Sequence, residues 1–277
     1  MNRRFVSRAR WFVPVLSFLI ATVGVSPTSS AANWQSTLTK NPPGNFPELR
    51  PLWANYRFGW GGITAATGDV HFTKPSPTRY QVDGAGHTIG FVRVLWKMDT
   101  THRATTDAET LRPIETRQTE AYRKKTVVTH LNFTNSGVKR ARTDDPRTGK
   151  VKTKEFNFPN LFDLNSAALY LRSQPLKDGN VYRVVIYPAT SAYLATLTVT
   201  GREKVTVHTG TYDAIKIDLH LDKIGKNSEL EPHKKFKRAT LWVSDDSDRL
   251  LLRIEAQIFV GTVFAELQSV RFEKPKS

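Results

Sequence analysis

Alternation of apolar and polar residues is the dominant pattern of this chain from Leu52 onward. In the first run Tyr56, Phe58 and Trp60 occupy alternate positions, and two glycines then end the run. A period of two is typical of β-strands that bury one face. Similar runs separated by turn residues continue to Phe272, and among them we count residues 89–98 as a strand. The pattern predicts at least about twelve antiparallel strands.

One segment, residues 159–172, departs from this period. Asp163 or Asn160 can cap its first turn, and Pro175 and Gly179 follow its end. Apolar residues recur at offsets of three and four and form one predicted helix face: Leu164, Ala167, Ala168 and Leu171. A helix of about three turns is not stable alone, so its apolar face must lie on the sheet.

These elements predict a mainly β fold. We expect a strongly curved antiparallel sheet, or half-open barrel, with one short helix packed in its concavity. No internal repeat and no long linker divides residues 52–277, which we interpret as a single domain. The preceding residues 33–51 are rich in proline and lack periodicity, so they are predicted to be an extended lead-in.

Residues 1–32 have the three-part layout of a secretory signal peptide. Four arginines precede an apolar run over residues 11–25, and small residues lead to Ala31 and Ala32, after either of which cleavage is expected. The run is shorter than the roughly twenty residues that a membrane span needs, although an uncleaved anchor is the alternative. We therefore predict export to the periplasm and no transmembrane anchor after cleavage.

The net charge changes the expected partners. It is +16 for the whole chain and +12 once residues 1–32 are removed. Outside the cytoplasm a basic surface meets anionic headgroups and polymers, so we expect an anionic envelope surface and no nucleic acid as partner. A solvated basic surface with no specific partner is the alternative. The chain has no cysteine, which excludes disulfides and thiolate metal sites.

No motif indicates catalysis, a metal site or a cofactor. The seven histidines have no spacing typical of metal ligands, and no Gly-x-Ser-x-Gly motif is present. The acidic clusters at residues 144–145 and 245–248 fall in predicted turns, where aspartate accepts backbone hydrogen bonds. We therefore expect no catalytic residue, no metal and no cofactor. A carboxylate pair assembled from distant positions, as in glycoside hydrolases, stays open.

The predicted hairpin around residues 138–156 concentrates positive charge. Its cations are Lys139, Arg140, Arg142, Arg147, Lys150, Lys152 and Lys154. Two arms with so little apolar content cannot both face a core, so we expect the hairpin to project into solvent. Charged side chains at a sheet edge prevent edge-to-edge pairing, and this is one reading; binding of an anionic surface is the other.

Several segments in order resemble the DUF3108 family, exported bacterial proteins of unknown function. They are residues 56–63, 163–172, 199–205, 210–217 and 241–246, and the resemblance covers roughly residues 50–272. It implies a strongly curved antiparallel sheet partly enclosing a helix, similar in outline to periplasmic lipoprotein carriers, and it implies no catalytic residues. One departure is at residues 250–252, where such proteins often have a proline, and it affects only the local strand geometry.

Our leading hypothesis is a non-enzymatic protein that binds a hydrophobic or amphipathic envelope molecule, such as a lipid, in the concavity of its sheet. The candidate contacts are aromatic rings and two arginines for a headgroup: Trp53, Tyr56, Trp60, Trp96, Trp242, Arg172 and Arg249. Ordinary core packing is the alternative for the rings. A second hypothesis is an interaction module that uses the basic hairpin to bind an anionic envelope polymer or a partner protein. A third is a hydrolase of wall polymer.

Overall fold

The computed structural model describes residues 33–233, 236–258 and 261–273. The predicted signal peptide lies outside the described residues. The sheet, both helices and both apolar cores are formed by residues after Asn33. The described part therefore contains the elements on which the fold depends.

Fifteen strands and two α-helices make up the described residues. The strands are β1 (Leu52–Trp60), β2 (Ile63–Ser76), β3 (Arg79–Thr88), β4 (Met98–Asp107), β5 (Pro113–Tyr122), β6 (Thr126–Thr134), β7 (Gly137–Thr143), β8 (Val151–Asn157), β9 (Val181–Ile186), β10 (Tyr193–Val207), β11 (Gly210–Ile224), β12 (Leu230–Pro232), β13 (Phe236–Ser244), β14 (Leu251–Ile258) and β15 (Gly261–Phe272). The helices are α1 (Gly90–Leu95) and α2 (Leu164–Ser173).

All strands belong to one antiparallel sheet. Its order is β8-β7-β6-β5-β4-β3-β2-β1-β15-β14-β13-β11-β10-β9, and β12 pairs with β11. Most neighbours are also consecutive in sequence, whereas the β1–β15 pair joins the first and last strands, with Leu52 opposite Phe272. This arrangement confirms the predicted mainly β fold with a curved antiparallel sheet.

The edge strand β9 is covered on both faces. Tyr182, Val184 and Ile186 pack in the main core, on the side that we call the inner face of the sheet. Val185 and Tyr187 occupy alternate positions and pack in a second core with residues of β6 and β7. The sheet therefore rolls up until the inner face of β6–β8 lies on the outer face of β9, and the result is a half-open barrel.

Backbone hydrogen bonds close the seam of this barrel. The Phe162 N–H donates to the Val185 oxygen at 2.9 Å, and the Tyr187 N–H donates to the Phe162 oxygen at 2.8 Å. On the lead-in, the Thr39 N–H donates to the Arg183 oxygen at 2.9 Å. These bonds pair backbone groups of β9 that would otherwise form an exposed sheet edge.

The N-terminus of α2 is fixed to the sheet by a buried carboxylate. One Asp163 oxygen accepts the Ser166 N–H at 2.7 Å, and the other accepts the Thr116 hydroxyl of β5 at 2.6 Å. The Ser166 hydroxyl in turn accepts the Asp163 N–H at 3.0 Å, which completes a capping box. Because Asp163, Ser166 and Thr116 are all buried, these bonds set the rotation of α2 about its axis.

That rotation corrects the predicted buried face of α2. The structure buries Ser166, Tyr170 and Leu171, whereas Leu164 is 43% exposed and Ala168 is also exposed. The prediction rested on the spacing of apolar residues alone, and it did not take into account the buried hydrogen bonds of Asp163. One side of α2 consequently stays uncovered within a largely β-structured protein.

The second helix, α1, corrects the prediction of a strand at residues 89–98. The chain turns out of β3 at Gly90, whose φ is +54°. Phe91, Val94 and Leu95 then follow at offsets of three and four, but six residues rich in valine fit a strand equally well. In the helix these three side chains are exposed, and no sequence pattern reveals that exposure.

The turns of the sheet gather at two ends of the barrel. At the helix end the lead-in, the C-terminus of α2 and the β13–β14 turn meet. At the opposite end, which we call the open end, lie the β1–β2 turn, α1, the β5–β6 turn and the β7–β8 turn. No turn at the open end is covered by α2. The segment after α1 lies over Thr88 of the inner face there, whereas Val70, Thr100 and Gln118 of that face are partly exposed.

Replacing Asp163 with alanine tests the buried cap. The change removes the helix cap and leaves the buried Thr116 hydroxyl without its acceptor, so we expect the free energy of unfolding to fall by about 2–4 kcal/mol. Urea unfolding followed by circular dichroism measures this loss.

Asp145→Ala is the matched control, because Asp145 also caps a helical turn, at residues 146–148, but lies at the surface. We expect no measurable change for this variant. Equal loss in both variants would contradict the role assigned to burial of Asp163.

Candidate functional site

The inner face at the open end forms a shallow concavity, which we call the mouth. Its side chains come from paired positions that run across the sheet from β1 to β8. One cross-strand row is Ala54, Val70, Gly84, His102, Gln118, Thr129, Arg142 and Lys152. The row nearer the open end is Tyr56, Gly68, Gly86, Thr100, Glu120 and Val127. The first row changes from apolar to polar from β1 toward β8, and the second becomes polar at Thr100 and Glu120 before it ends on the buried Val127.

Three glycines carry no side chain on the apolar side of the mouth, and two of them, Gly84 and Gly86, are partly exposed. Gly68 of β2 lies opposite Gly86 of β3, and Gly84 lies two residues away on the same face. A Cβ on Gly68 would lie 3.1 Å from Cε2 of Phe58, so this glycine lets the Phe58 ring rest on the sheet. A Cβ on Gly84 would have nothing closer than 3.7 Å. Glycine inside a strand often marks the close approach of another group, and here space lies above it.

Uncovered apolar side chains border this strip. Phe58 is on the same face as Tyr56 by alternation and is 40% exposed. The amide of Asn165 in α2 hydrogen-bonds the His102 ring at 2.8 Å, which places the exposed side of α2, with the adjacent Leu164, beside the deeper row. The mouth therefore has apolar surface on one wall and at its base.

The opposite wall is polar. Arg142 of β7 forms an ion pair with Asp144 at 2.9 Å, and Lys152 reaches the same carboxylate at 2.7 Å. These cations hold the pKa of Asp144 at about 2, below its usual range. Glu120 accepts a hydrogen bond from Tyr122 at 3.2 Å. The mouth thus combines an apolar wall with a wall that carries charged and hydrogen-bonding groups.

The predicted aromatic contacts divide between the two faces of the sheet. Tyr56 is on the inner face and donates its hydroxyl to the Leu251 oxygen at 2.9 Å. Trp60 and Trp96 lie at the open end, and the Trp96 ring contacts that of Tyr122 with centroids 6.3 Å apart. These three residues are placed at or near the mouth.

Trp53 and Trp242 lie on the outer face instead, and this corrects the expectation that the aromatic residues point inward. Trp53 alternates with buried Leu52 and stacks on the His71 ring at 3.8 Å. The Trp242 indole donates to Glu203 at 2.5 Å. The register places Trp242 beside Lys216 and Arg253, on the side opposite the inner-facing Leu241.

The two predicted headgroup arginines lie at the helix end and bind backbone oxygens. Arg249 donates to the oxygens of Arg172 at 2.6 Å, Gln174 at 2.5 Å and Pro175 at 3.2 Å. Its guanidinium also lies 3.3 Å from the ring centroid of Phe46. Burial lowers the pKa of Arg249 to about 10, so it stays charged near neutral pH.

Arg172 completes this arrangement. It donates to the oxygens of Asp248 and Ser247, each at 2.9 Å, and to that of Pro47 at 2.5 Å. The two arginines therefore join the end of α2, the lead-in and the β13–β14 turn, far from the mouth. Arg249 supplies the donors that orphan carbonyls at a helix C-terminus need, and Arg172 binds backbone oxygens of the lead-in and the turn, so both side chains have structural roles.

The basic hairpin is neutralised along much of its length. Lys139 pairs with Glu155 at 3.4 Å, and Arg147 pairs with Asp145 at 2.8 Å, in addition to the two cations on Asp144. Arg140 points inward at the seam and donates to the Thr190 oxygen at 3.4 Å. Lys150 and Lys154 are exposed. β8 is a charged edge strand, but inward-facing Arg140 and the buried Val138 of β7 correct the expectation that the whole hairpin projects into solvent.

Two surface hollows lie outside the mouth. One borders Asn41, Lys177 and Tyr182 at the helix end. The other lies over Arg57, Arg253 and Glu266 on the outer face. Within the described ranges, no group of three or more histidine, aspartate or glutamate side chains could hold a metal ion. No helix in the described part of the chain is long and apolar enough to cross a membrane.

The sequence matches the family described as protein of unknown function, DUF3108, over residues 55–268, so the chain belongs to this family. This match confirms the resemblance drawn from the motifs. Comparison with curated protein sequences found no match.

Two solved structures resemble this chain at low sequence identity. A β-barrel-like protein of the domain of unknown function DUF1849 from Brucella abortus is 10% identical and superposes with a TM-score of 0.54, over 82% of this chain and 99% of that one. A DUF1089 family protein from Pseudomonas aeruginosa is also 10% identical, with a TM-score of 0.37 over 70% of this chain and 90% of that one. The first likeness supports the barrel-like fold and nothing further, and the second is too remote to support an argument.

Sequence reasoning missed two features of the open end. The glycine strip was absent from the predicted contacts, although Gly84 and Gly86 stand at alternate positions, which indicates one bare face. The apolar residues of α1 were assigned to a strand. Only the register between β2 and β3 brings Gly68 beside Gly86, and register is not encoded in a local pattern.

The burial of His102 predicts a pH dependence of stability. Desolvation lowers its pKa below the usual range, an effect that nearby Asp163 and Asp83 only partly oppose. As the pH falls through about 6.5, the unfolded chain gains a proton that folded His102 takes up only at lower pH, so stability decreases. We expect a lower free energy of unfolding at pH 5.5 than at pH 7.5, and a smaller difference in the His102→Gln variant.

His208→Gln provides the comparison, because His208 is exposed in the β10–β11 turn. In urea titrations, the free energy of unfolding of His208→Gln should differ between pH 5.5 and pH 7.5 by as much as that of the wild type. An unchanged pH difference in His102→Gln would remove the role given to this buried ring.

Proposed function

We propose that this protein binds an amphipathic envelope molecule, of the class of a lipid or a lipid-like anion, in the mouth of its half-open barrel. The observation that carries the proposal is the bare strip of Gly84 and Gly86, beside the Phe58 ring that rests on Gly68, between exposed apolar side chains and a polar wall. Binding of this kind needs concave apolar surface and a few polar groups that orient the ligand.

The apolar wall suits an acyl chain or a similar group. Phe58 and Leu164 together leave apolar surface in contact with water, which favours the burial of a hydrophobic ligand. The glycines expose backbone without side chains, so an extended chain could lie close to the sheet. Each buried methylene contributes about 0.8 kcal/mol, so a short contact along this strip is enough for measurable affinity.

The polar wall suits a headgroup. Arg142 and Lys152 share the carboxylate of Asp144, and Glu120 lies on the same side, so this wall offers both charged and hydrogen-bonding groups to a headgroup. Thr100 and Gln118 add hydrogen-bonding side chains on the same face. An anionic headgroup at this wall and an apolar tail along the glycine strip would match the gradient across the sheet.

This proposal describes a periplasmic, non-enzymatic carrier or sensor. Export is supported by the signal-like layout of residues 1–32. The described residues present no catalytic constellation that favours an enzyme. The second hypothesis, an anionic-surface module on the basic hairpin, has less free charge to use because Lys139, Arg142, Arg147 and Lys152 have acidic partners.

Filling the glycine strip tests the proposal. In Gly84→Val the new side chain enters open space above the inner face without a backbone clash, so the protein should stay folded. We expect the affinity for a dansyl-labelled fatty acid, measured by fluorescence titration, to fall about tenfold or more, which corresponds to roughly 1.4 kcal/mol.

Ala85→Val is the matched control, because Ala85 is the next residue of β3 and is exposed on the outer face. It should bind the probe like the wild type. Absence of probe binding in the wild type, or equal binding by both variants, would overturn the proposed site. Urea midpoints measured for both variants confirm that folding is retained.

A further inference from the structure

We propose that the open end of the barrel docks on an anionic phospholipid surface through α1 and the cations beside it. This docking surface consists of Phe91, Val94 and Leu95 together with Lys97, Arg123, Lys124 and Lys125. It is distinct from the mouth, and it does not depend on which molecule the mouth holds. It would place the mouth against the lipid.

The apolar part of this surface is unusually exposed. Phe91 is 74% exposed, Leu95 is 69% exposed and Val94 is 66% exposed, and α1 has no buried residue at all. Ile63, in the β1–β2 turn at the same end of the barrel, is 65% exposed. Contiguous exposed apolar surface of this kind marks an interaction site in a soluble domain.

Polar contacts to the sheet hold α1 in this position. The buried Thr88 hydroxyl donates to the Trp96 oxygen at 3.0 Å and accepts the Met98 N–H at 3.1 Å. Arg93 donates to the Thr88 oxygen at 3.2 Å and pairs with Asp99 at 2.7 Å. These polar contacts fix the base of α1, so its apolar side chains face away from the barrel.

Cations border the apolar helix. The Arg123 guanidinium donates to the Val94 oxygen at 2.7 Å, which places the β5–β6 turn directly against α1. Lys124 and Lys125 follow in that turn, and Lys97 comes directly after α1. Within the described ranges, no acidic side chain forms an ion pair with any of these four cations. Of the acids nearby, Asp99 pairs with Arg93, Asp144 pairs with Arg142, and Glu120 accepts a hydrogen bond from Tyr122.

Charge complementarity identifies the occupant. Large apolar side chains flanked by lysine and arginine match the boundary between acyl chains and anionic headgroups. The apolar groups enter the lipid while the cations remain at headgroup level, and each cation near such a surface adds to the affinity. An apolar protein partner would use the same helix but would have no need of four unpaired cations around it.

Vesicle sedimentation tests the proposal with the chain from Asn33 onward, which lacks the apolar segment at residues 11–25. The probes are sucrose-loaded vesicles of phosphatidylcholine alone, and of phosphatidylcholine with phosphatidylglycerol at about three to one. We expect binding to the anionic vesicles at least about tenfold tighter than to the neutral ones, and weaker binding at high salt.

Two variants separate the apolar and the charged contributions. Phe91→Ser/Val94→Ser/Leu95→Ser removes only exposed groups, and Lys124→Glu/Lys125→Glu reverses two charges. We expect each variant to reduce binding to the anionic vesicles about tenfold or more. The matched controls are Val181→Ser, an exposed apolar residue of β9, and Lys40→Glu/Lys177→Glu, both exposed and away from α1. Both controls should bind like the wild type.

Vesicle binding by the docking surface can be distinguished from ligand binding in the mouth. Gly84→Val should bind vesicles like the wild type, whereas Lys124→Glu/Lys125→Glu should bind the dansyl-labelled fatty acid like the wild type. Equal binding to neutral and anionic vesicles, no vesicle binding, or equal loss in the controls would overturn the docking surface. Loss of vesicle binding in the α1 variant without any effect of the charge reversal would show apolar contact with lipid without recognition of anionic headgroups, and would also overturn it.

Discussion

The position of α2 inside the rolled sheet is the constraint on which the rest of the structure depends. Its N-terminus is tied to β5 by the buried bond between Asp163 and Thr116, and its C-terminal carbonyls are held by Arg249. Both ends of a helix carry unpaired backbone groups, so these polar contacts satisfy a need that apolar packing cannot. Because α2 is fixed toward one end of the barrel, that end is filled and the other stays open.

The overlap of the two sheet ends explains how so large an open sheet covers one of its two edges, that of β9. β9 buries Val184 toward the main core and Val185 toward the second core, and Phe162 pairs with its backbone. β8 is the outer edge of the sheet, and it carries the charged residues Lys152, Lys154 and Glu155. The cations that look like a binding motif in the sequence therefore have a structural use, since charge on an edge strand prevents pairing with other molecules.

The sequence was sufficient for the class of fold and insufficient for the site. Alternation along β1 and the isolated helical period around Leu164 predict a curved sheet with an enclosed helix, because both are local patterns. The side of α2 that faces water depends on a buried cap to Thr116, which is 47 residues away in sequence. The bare strip likewise depends on the register that sets Gly68 against Gly86, and the outward position of Trp242 on the pairing of β11 with β13. Such non-local pairings cannot be derived from composition or periodicity.

Native mass spectrometry with lipid extraction, on protein purified without detergent from a Gram-negative periplasm, tests the central claim most directly. The mouth combines an apolar strip with a polar wall that carries Arg142 and Lys152, so we expect a reproducible additional mass of an amphipathic molecule that survives gel filtration. We also expect that the Gly84→Val protein loses this mass while Ala85→Val keeps it. Wild-type protein that carries no such mass, and takes up none when incubated with envelope lipids, would contradict the account.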